Sequence, residues 1–97
     1  MSAPATVRDN EDASRFEAWI ADDLAGVAEY RRTEGLVVYP HTVVKADFEG
    51  RGVGSALARA ALDDARARDL RVQVPCPFLT SWLARHPEYQ DLTEPTP

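Results

Sequence analysis

Apolar and polar residues alternate through the first half of the chain, and the period changes at a cluster of glycines. Arg15 to Ala21 carries Phe16, Ala18 and Ile20 at every second position with Trp19 on the other face, which predicts a strand. Thr6 to Asp9 reads as a short edge strand before it. Asp22-Asp23 signals a turn, although without glycine. Leu24 to Arg32 follows as a strand of ambiguous register, because Val27 and Tyr30 fall on different faces. Glu34-Gly35 marks the next turn, and Leu36 to Val44 is rich in β-branched residues, as a buried strand is. Pro40 removes one ladder donor from that run, which predicts a bulge or an unpaired edge there. Three or four hairpin-linked strands make an antiparallel meander.

From Gly52 onward Val53, Leu57, Ala61 and Ala65 recur every fourth residue, with Ala58 and Leu62 beside them. This is one apolar helical face, expected to end near Asp69. Arg59 with Asp63, and Asp64 with Arg68, sit four apart on the wet side. Leu70 to Val74 reads as a further strand, broken by Pro75-Cys76-Pro77. Phe78 to Arg85 reads as a second helix with Leu79, Trp82 and Leu83 inward, ended by Pro87. A strand, a helical crossover and another strand imply a parallel pair. The predicted class is α+β, with a mixed but mostly antiparallel sheet, a β-α-β crossover and a C-terminal helix.

The 97 residues amount to one domain over 1–97. Its ordered core is expected at about 6–92, with loose ends at 1–5 and 93–97. A net charge of -5 speaks against general nucleic-acid binding. It leaves room for an anionic cofactor held by backbone amides. No apolar run is long enough to span a membrane, and the first residues lack a signal peptide, so cytoplasmic residence is expected. Cys76 is the single cysteine, and His41 and His86 lie far apart, which excludes an internal disulfide and disfavours a metal site. Arginine-rich, alanine-rich composition with Lys45 as the only lysine points to a GC-rich bacterial source. A small core with sheet edges makes a homodimer conceivable.

The segment Phe48-Glu49-Gly50-Arg51-Gly52-Val53-Gly54-Ser55 joins a predicted strand to a predicted helix. Alternating glycines let backbone approach a ligand, and the helix start offers free N–H groups. Together they suit a phosphate or diphosphate. The alternative is a glycine-rich turn without a ligand. A P-loop ending is missing, and the chain is too short for a dinucleotide fold.

At these positions the sequence resembles the GCN5-related N-acetyltransferases, which carry Gln/Arg-x-x-Gly-x-Gly/Ala between a strand and a helix. Here the pattern falls on Glu49, Gly52 and Gly54, with glutamate replacing the usual first residue. A closer resemblance is to the small, reduced YjdJ-type subgroup. It rests on His41-Thr42-x-Val44, on Phe48-x-Gly50-x-Gly52-x-Gly54-Ser55-x-Leu57, on Pro75-Cys76-Pro77-Phe78 and on Arg85-His86-Pro87-Glu88-Tyr89. Relative to full-length members, the helices between the first two strands and the last strands are missing.

The resemblance implies acetyl-coenzyme A in a cleft where two strands splay apart, and an amine acceptor. It places Thr42, Val43, Val44 and Lys45 along pantetheine, with an amide near Val44 as oxyanion donor. It places Gly50, Arg51, Gly52, Val53, Gly54 and Ser55 around the diphosphate, with Lys45, Arg51 or Arg85 screening phosphates. Cys76, preceding Pro77 at the expected start of the last helix, is a candidate acetyl acceptor, the alternative being a buried small apolar residue. His41 is a candidate base, the alternative being a structural histidine. Trp19, Trp82, Tyr30 and Tyr89 read as core and rim aromatics. Acetyl transfer to an unidentified amine is the first functional expectation. A non-catalytic acyl-coenzyme A binder or protein-interaction module on the same scaffold is the second.

Overall fold

A computed structural model describes residues 5–93. The expected loose ends, apart from Ala5 and Thr93, lie outside the described residues. The strands are β1 (Thr6–Asn10), β2 (Arg15–Ile20), β3 (Asp23–Glu29), β4 (Arg31–Thr33), β5 (Leu36–Val38), β6 (Thr42–Val44) and β7 (Arg71–Gln73). The helices are α1 (Val53–Ala67) and α2 (Pro77–Ala84), with 3-10 turns at Glu11–Ala13, Ala46–Phe48 and Pro87–Leu92.

The ladders run β1-β2-β3-β6 and β4-β5-β7. All pairs are antiparallel except β5 with β7, which are parallel and joined across α1. The fold is therefore the expected α+β type with a β-α-β crossover. Between β1 and β2 stands only the 3-10 turn Glu11–Ala13.

Several boundaries differ from the sequence reading, three of them by a turn or break within the first half of the chain. The first hairpin turns at Ala21-Asp22, with Ala21 at φ 53, rather than at Asp22-Asp23, because Ile20 already pairs with Asp23. The run Leu24 to Arg32 breaks at Tyr30, whose N–H makes the last bond of the β2–β3 ladder, to Ser14 C=O at 3.0 Å, before β4 pairs with β5 instead. The run Leu36 to Val44 breaks at Tyr39 to His41. The last two breaks share one cause. Between the pairs Arg31/Val38 and Ala28/Thr42 one strand advances three residues and the other four. The extra residue is a bulge at Tyr39-Pro40, where the sequence placed one.

The helix α1 buries Val53, Leu57, Ala58, Ala61, Leu62 and Ala65, the stripe read from its period. It ends two residues earlier than expected. Leu70 N–H bonds Ala65 C=O at 2.9 Å and Asp69 N–H bonds Arg66 C=O at 3.1 Å, with Asp69 at φ 58. This is a Schellman closure with aspartate where glycine is usual, and it turns the chain directly into β7.

Arg32 ties three elements together. Its guanidinium reaches Asp9 of β1 and Asp64 of α1 at 2.8 Å each and lies 4.0 Å over the Tyr30 ring. Asp63 takes the Tyr89 hydroxyl at 2.7 Å, while Arg68 pairs with Asp64 as expected.

All three tyrosines donate their hydroxyls inward: Tyr30 to Asp9 at 2.5 Å, Tyr39 to Ala61 C=O at 2.7 Å, and Tyr89 to Asp63. Burial, then the Asp9 bond, pushes Tyr30 up to about 12. Burial raises Tyr39, and the Asp63 bond followed by burial raises Tyr89. The neutral phenol is thus favoured in the fold. Its contribution to stability is complete below the ordinary tyrosine value of about 10 and is lost as pH rises from there through the folded value. Spectrophotometric titration at 295 nm should show no tyrosine ionising near the ordinary value until the chain unfolds; one normal titration step in the folded chain contradicts this.

Candidate active site

The site begins where two strands that should pair do not. β5 and β7 run parallel from Leu36/Arg71 to Val38/Gln73, and Tyr39 N–H still bonds Gln73 C=O at 3.0 Å. The regular parallel pattern would next use the N–H of residue 75 for the carbonyl of Tyr39. Residue 75 is proline and has no N–H. On the other strand the Tyr39-Pro40 bulge shifts the register at the same level. The strands part there, and among the described residues β6 pairs with β3 on one side only.

Which groups β6 presents to the gap follows from its ladder. Lys45 N–H bonds Ala25 C=O at 2.8 Å and Glu29 N–H bonds His41 C=O at 2.9 Å. Antiparallel pairing alternates, so Val43 also faces β3, and the N–H and C=O groups of Thr42 and Val44 point to the free edge. Both residues line a cleft of about 410 Å³. The Thr42 Oγ1 is itself buried without a hydrogen-bond partner, an unmet polar group in a cleft wall.

The glycine loop forms the floor. Gly50 and Gly52 adopt φ 78 and 76, conformations that side chains disfavour. Gly52 caps α1, and the first helical bond is Ala56 N–H to Gly52 C=O at 3.0 Å. The N–H groups of Val53, Gly54 and Ser55 therefore have no acceptor within the helix and open at its positive end, beside Gly50 and Gly52 in the cleft wall.

The helix α2 supplies the opposite wall. Phe78 and Trp82, one turn apart, meet successive residues of the α1 start. A Cβ on Gly54 would lie 2.6 Å from the Phe78 ring, so only glycine admits that ring. Trp82 Nε1 donates to Ser55 Oγ at 3.1 Å. Arg85 lines the same cleft, and Arg51 and Arg59 lie 5.6 and 5.5 Å over the rings of Phe48 and Trp82. One guanidinium, Arg85, thus lines the cleft, and two more lie over aromatic rings of its walls.

Of the residues singled out from sequence, Thr42, Val44, Gly50, Gly52, Val53, Gly54, Ser55 and Arg85 come together in this cleft. Val43, Lys45 and Arg51 are exposed beside it rather than lining it. Cys76 caps α2, with Pro77 at its first position as expected, but its side chain is 4 % exposed and belongs to the core. His41 lies past the bulge, in a second hollow with Tyr30, Arg31 and Arg32. Phe48 and Glu49, at the start of the segment read as the anion site, also line the cleft, and Phe78 and Trp82 line it without having been assigned to it. Trp82 belongs to the inward stripe expected from sequence, with Leu79 and Leu83; Phe78 does not, and Gly54 receives its ring as well as standing in the glycine loop.

An amide-lined helix start thus opens on the free edge of a splayed strand in a small α+β fold. A family model described as GCN5-related N-acetyl-transferase matches residues 15–92, and the chain belongs to that family. Protein NATD1 of Bos taurus is 36 % identical over 62 residues, covering 62 % of this chain and 55 % of that protein. The chain thus spans about half the length of this curated relative. A GCN5-like protein of Staphylococcus aureus, solved by NMR, superposes with a TM-score of 0.72 at 25 % identity, over 95 % of this chain and 90 % of that one. The ribosomal-protein-alanine N-acetyltransferase of Brucella melitensis shares the fold, with a TM-score of 0.59 at 19 % identity over 86 % of this chain and 62 % of that one.

Replacing Pro75 by alanine tests the origin of the splay. One restored backbone bond contributes about 0.5–1.5 kcal/mol, while loss of the proline ring withdraws about 0.4–1 kcal/mol, so stability should barely change. Hydrogen exchange decides instead. In Pro75→Ala the new amide should be protected; a freely exchanging amide contradicts the assignment.

Proposed function

We propose that this chain transfers acetyl from acetyl-coenzyme A to an amine. The observation that carries the reading is the set of unpaired amides at residues 53–55, facing the unpaired edge of β6 across one cleft. The residues present fit the cofactor: the helix start for its diphosphate, the Thr42 and Val44 backbone for its pantetheine amides, and Arg85 for a further phosphate. Bound acetyl-coenzyme A supplies an acetyl group already activated as a thioester. The N–H of Val44, turned away from β3, serves as the donor that receives charge on the carbonyl oxygen. Transfer is direct, within a ternary complex: the amine nitrogen bonds the acetyl carbon, the thioester C–S bond breaks, the amine proton passes to water, and coenzyme A leaves as a thiolate that takes a proton from solvent. Cys76 in the core and His41 in the other hollow support this direct route rather than a covalent one. The net charge of -5 favours a cationic acceptor, small molecule or protein, by steering.

A second reading has its own observation. Among the described residues lining the cleft, Glu49 is the only carboxylate and none is a histidine or cysteine. A coenzyme A binder without turnover fits that scarcity of proton-transfer groups. Release of free coenzyme A in the presence of an amine separates the two.

Thermal-shift titration with coenzyme A, acetyl-coenzyme A, ATP and NAD tests the site. At a ligand excess of about one hundred Kd the first two should raise Tm by roughly 10 °C, and the others by much less. Gly52→Val should remove that shift while the protein still melts cooperatively; a shift retained in the variant places the ligand elsewhere. Cys76→Ala should keep the acetyl-transfer rate within about threefold, the transition-state equivalent of under 1 kcal/mol. A loss of a hundredfold or more would reinstate the thiol as nucleophile.

A further inference from the structure

Ser55 is exposed at the third position of α1, and its Oγ accepts the indole N–H of Trp82 at 3.1 Å. A serine hydroxyl has one hydrogen to donate and two lone pairs to accept with. Tryptophan can only donate, so this bond occupies one lone pair and leaves the hydroxyl hydrogen, with the other lone pair, for a second partner. With one lone pair held by the indole, the hydroxyl hydrogen must point elsewhere. Ser55 and Trp82 both line the cleft, so a ligand there is within reach of that hydrogen.

The donor is itself immobilised. Trp82 is 1 % exposed, and its ring stacks on His86 at 3.6 Å and 9°. Tyr89 packs against it at 5.6 Å, and the Trp82 carbonyl is bonded by His86 Nδ1 at 2.7 Å. A side chain held on so many sides has little freedom to release Ser55.

We propose that Trp82 is a positioning residue that sets the Ser55 hydroxyl as a fixed donor to the ligand's diphosphate, adding a side-chain donor to the three helix-start amides. This rests on the coenzyme A reading and deepens it. It makes α2 part of the anion site through a bond between side chains, not only through its position as a wall. A tyrosine or leucine at 82 would pack but would not impose the same orientation on Ser55.

Isothermal titration of coenzyme A into the wild type, Ser55→Ala, Trp82→Phe and the double variant tests it. Phenylalanine keeps a ring on His86 and removes the N–H. Ser55→Ala should weaken binding about tenfold, as loss of a bond to a charged group does. Trp82→Phe should weaken it about threefold or more in the wild type and have no further effect when Ser55 is already alanine. Equal losses in both backgrounds would make Trp82 a packing residue only and overturn the proposal. So would a Ser55→Ala variant that binds as the wild type does.

Should Trp82→Phe fail to fold, the indole proton reports directly. The chain has two tryptophans, so Trp19 serves as the internal reference. The Trp82 Nε1–H resonance should move in Ser55→Ala and again when coenzyme A is added to the wild type; a resonance indifferent to both overturns the assignment. A wild type that gives no titration at all would instead remove the coenzyme A reading, and this inference with it.

Discussion

One backbone bond that cannot form organises the rest of the molecule. Proline at 75 withholds the N–H that the parallel ladder would next give to Tyr39, at the level where the Tyr39-Pro40 bulge shifts the neighbouring strand. Below that level β5 and β7 form an ordinary pair. Above it, among the described residues, β6 has a partner on one side only, and its outward N–H and C=O groups have no strand to meet. Unpaired strand edges are generally covered or blunted. Here the edge forms one wall of a cleft, between a glycine loop and a helix.

The same economy governs the cleft's other walls. α1 is at once the crossover that makes β5 and β7 parallel, the apolar stripe that closes the core, and the helix whose first amides face the cleft. Its alanines at 58, 61 and 65 are fully buried, which brings the backbone close to the sheet and leaves the helix start at the sheet edge. α2 is docked onto that start by Phe78 against Gly54 and Trp82 on Ser55. Disturbing α2 would therefore be felt first at the floor of the cleft.

Much of this was legible in the sequence. The alternation of Phe16, Ala18 and Ile20 and the four-residue repeat from Val53 to Ala65 mark faces that the fold does bury. Pro40 marked the bulge because a missing donor is a local fact. The breaks at Tyr30 and at Tyr39 to His41 were not legible, because they depend on a register shift between two strands and neither strand carries it alone. The turn at Ala21 was missed because an alanine at positive φ leaves no compositional sign. Within the site, glycine spacing located the loop but not the division of labour. Gly50 and Gly52 serve the backbone path, whereas Gly54 makes room for Phe78. Cys76 and His41 drew attention by residue type, yet burial and the far side of the bulge keep them from lining the cleft.

Membership in the GCN5-related N-acetyltransferases gives this geometry a chemical context, and the account turns on where the main chain is free to bind. Amide chemical-shift mapping of the isotopically labelled protein with coenzyme A addresses that most directly. The account predicts that the largest changes fall on Thr42, Val44 and residues 51–55, with Val43 and the β1–β2 ladder nearly silent. Changes concentrated around His41 and Arg31, or none at all, would contradict it.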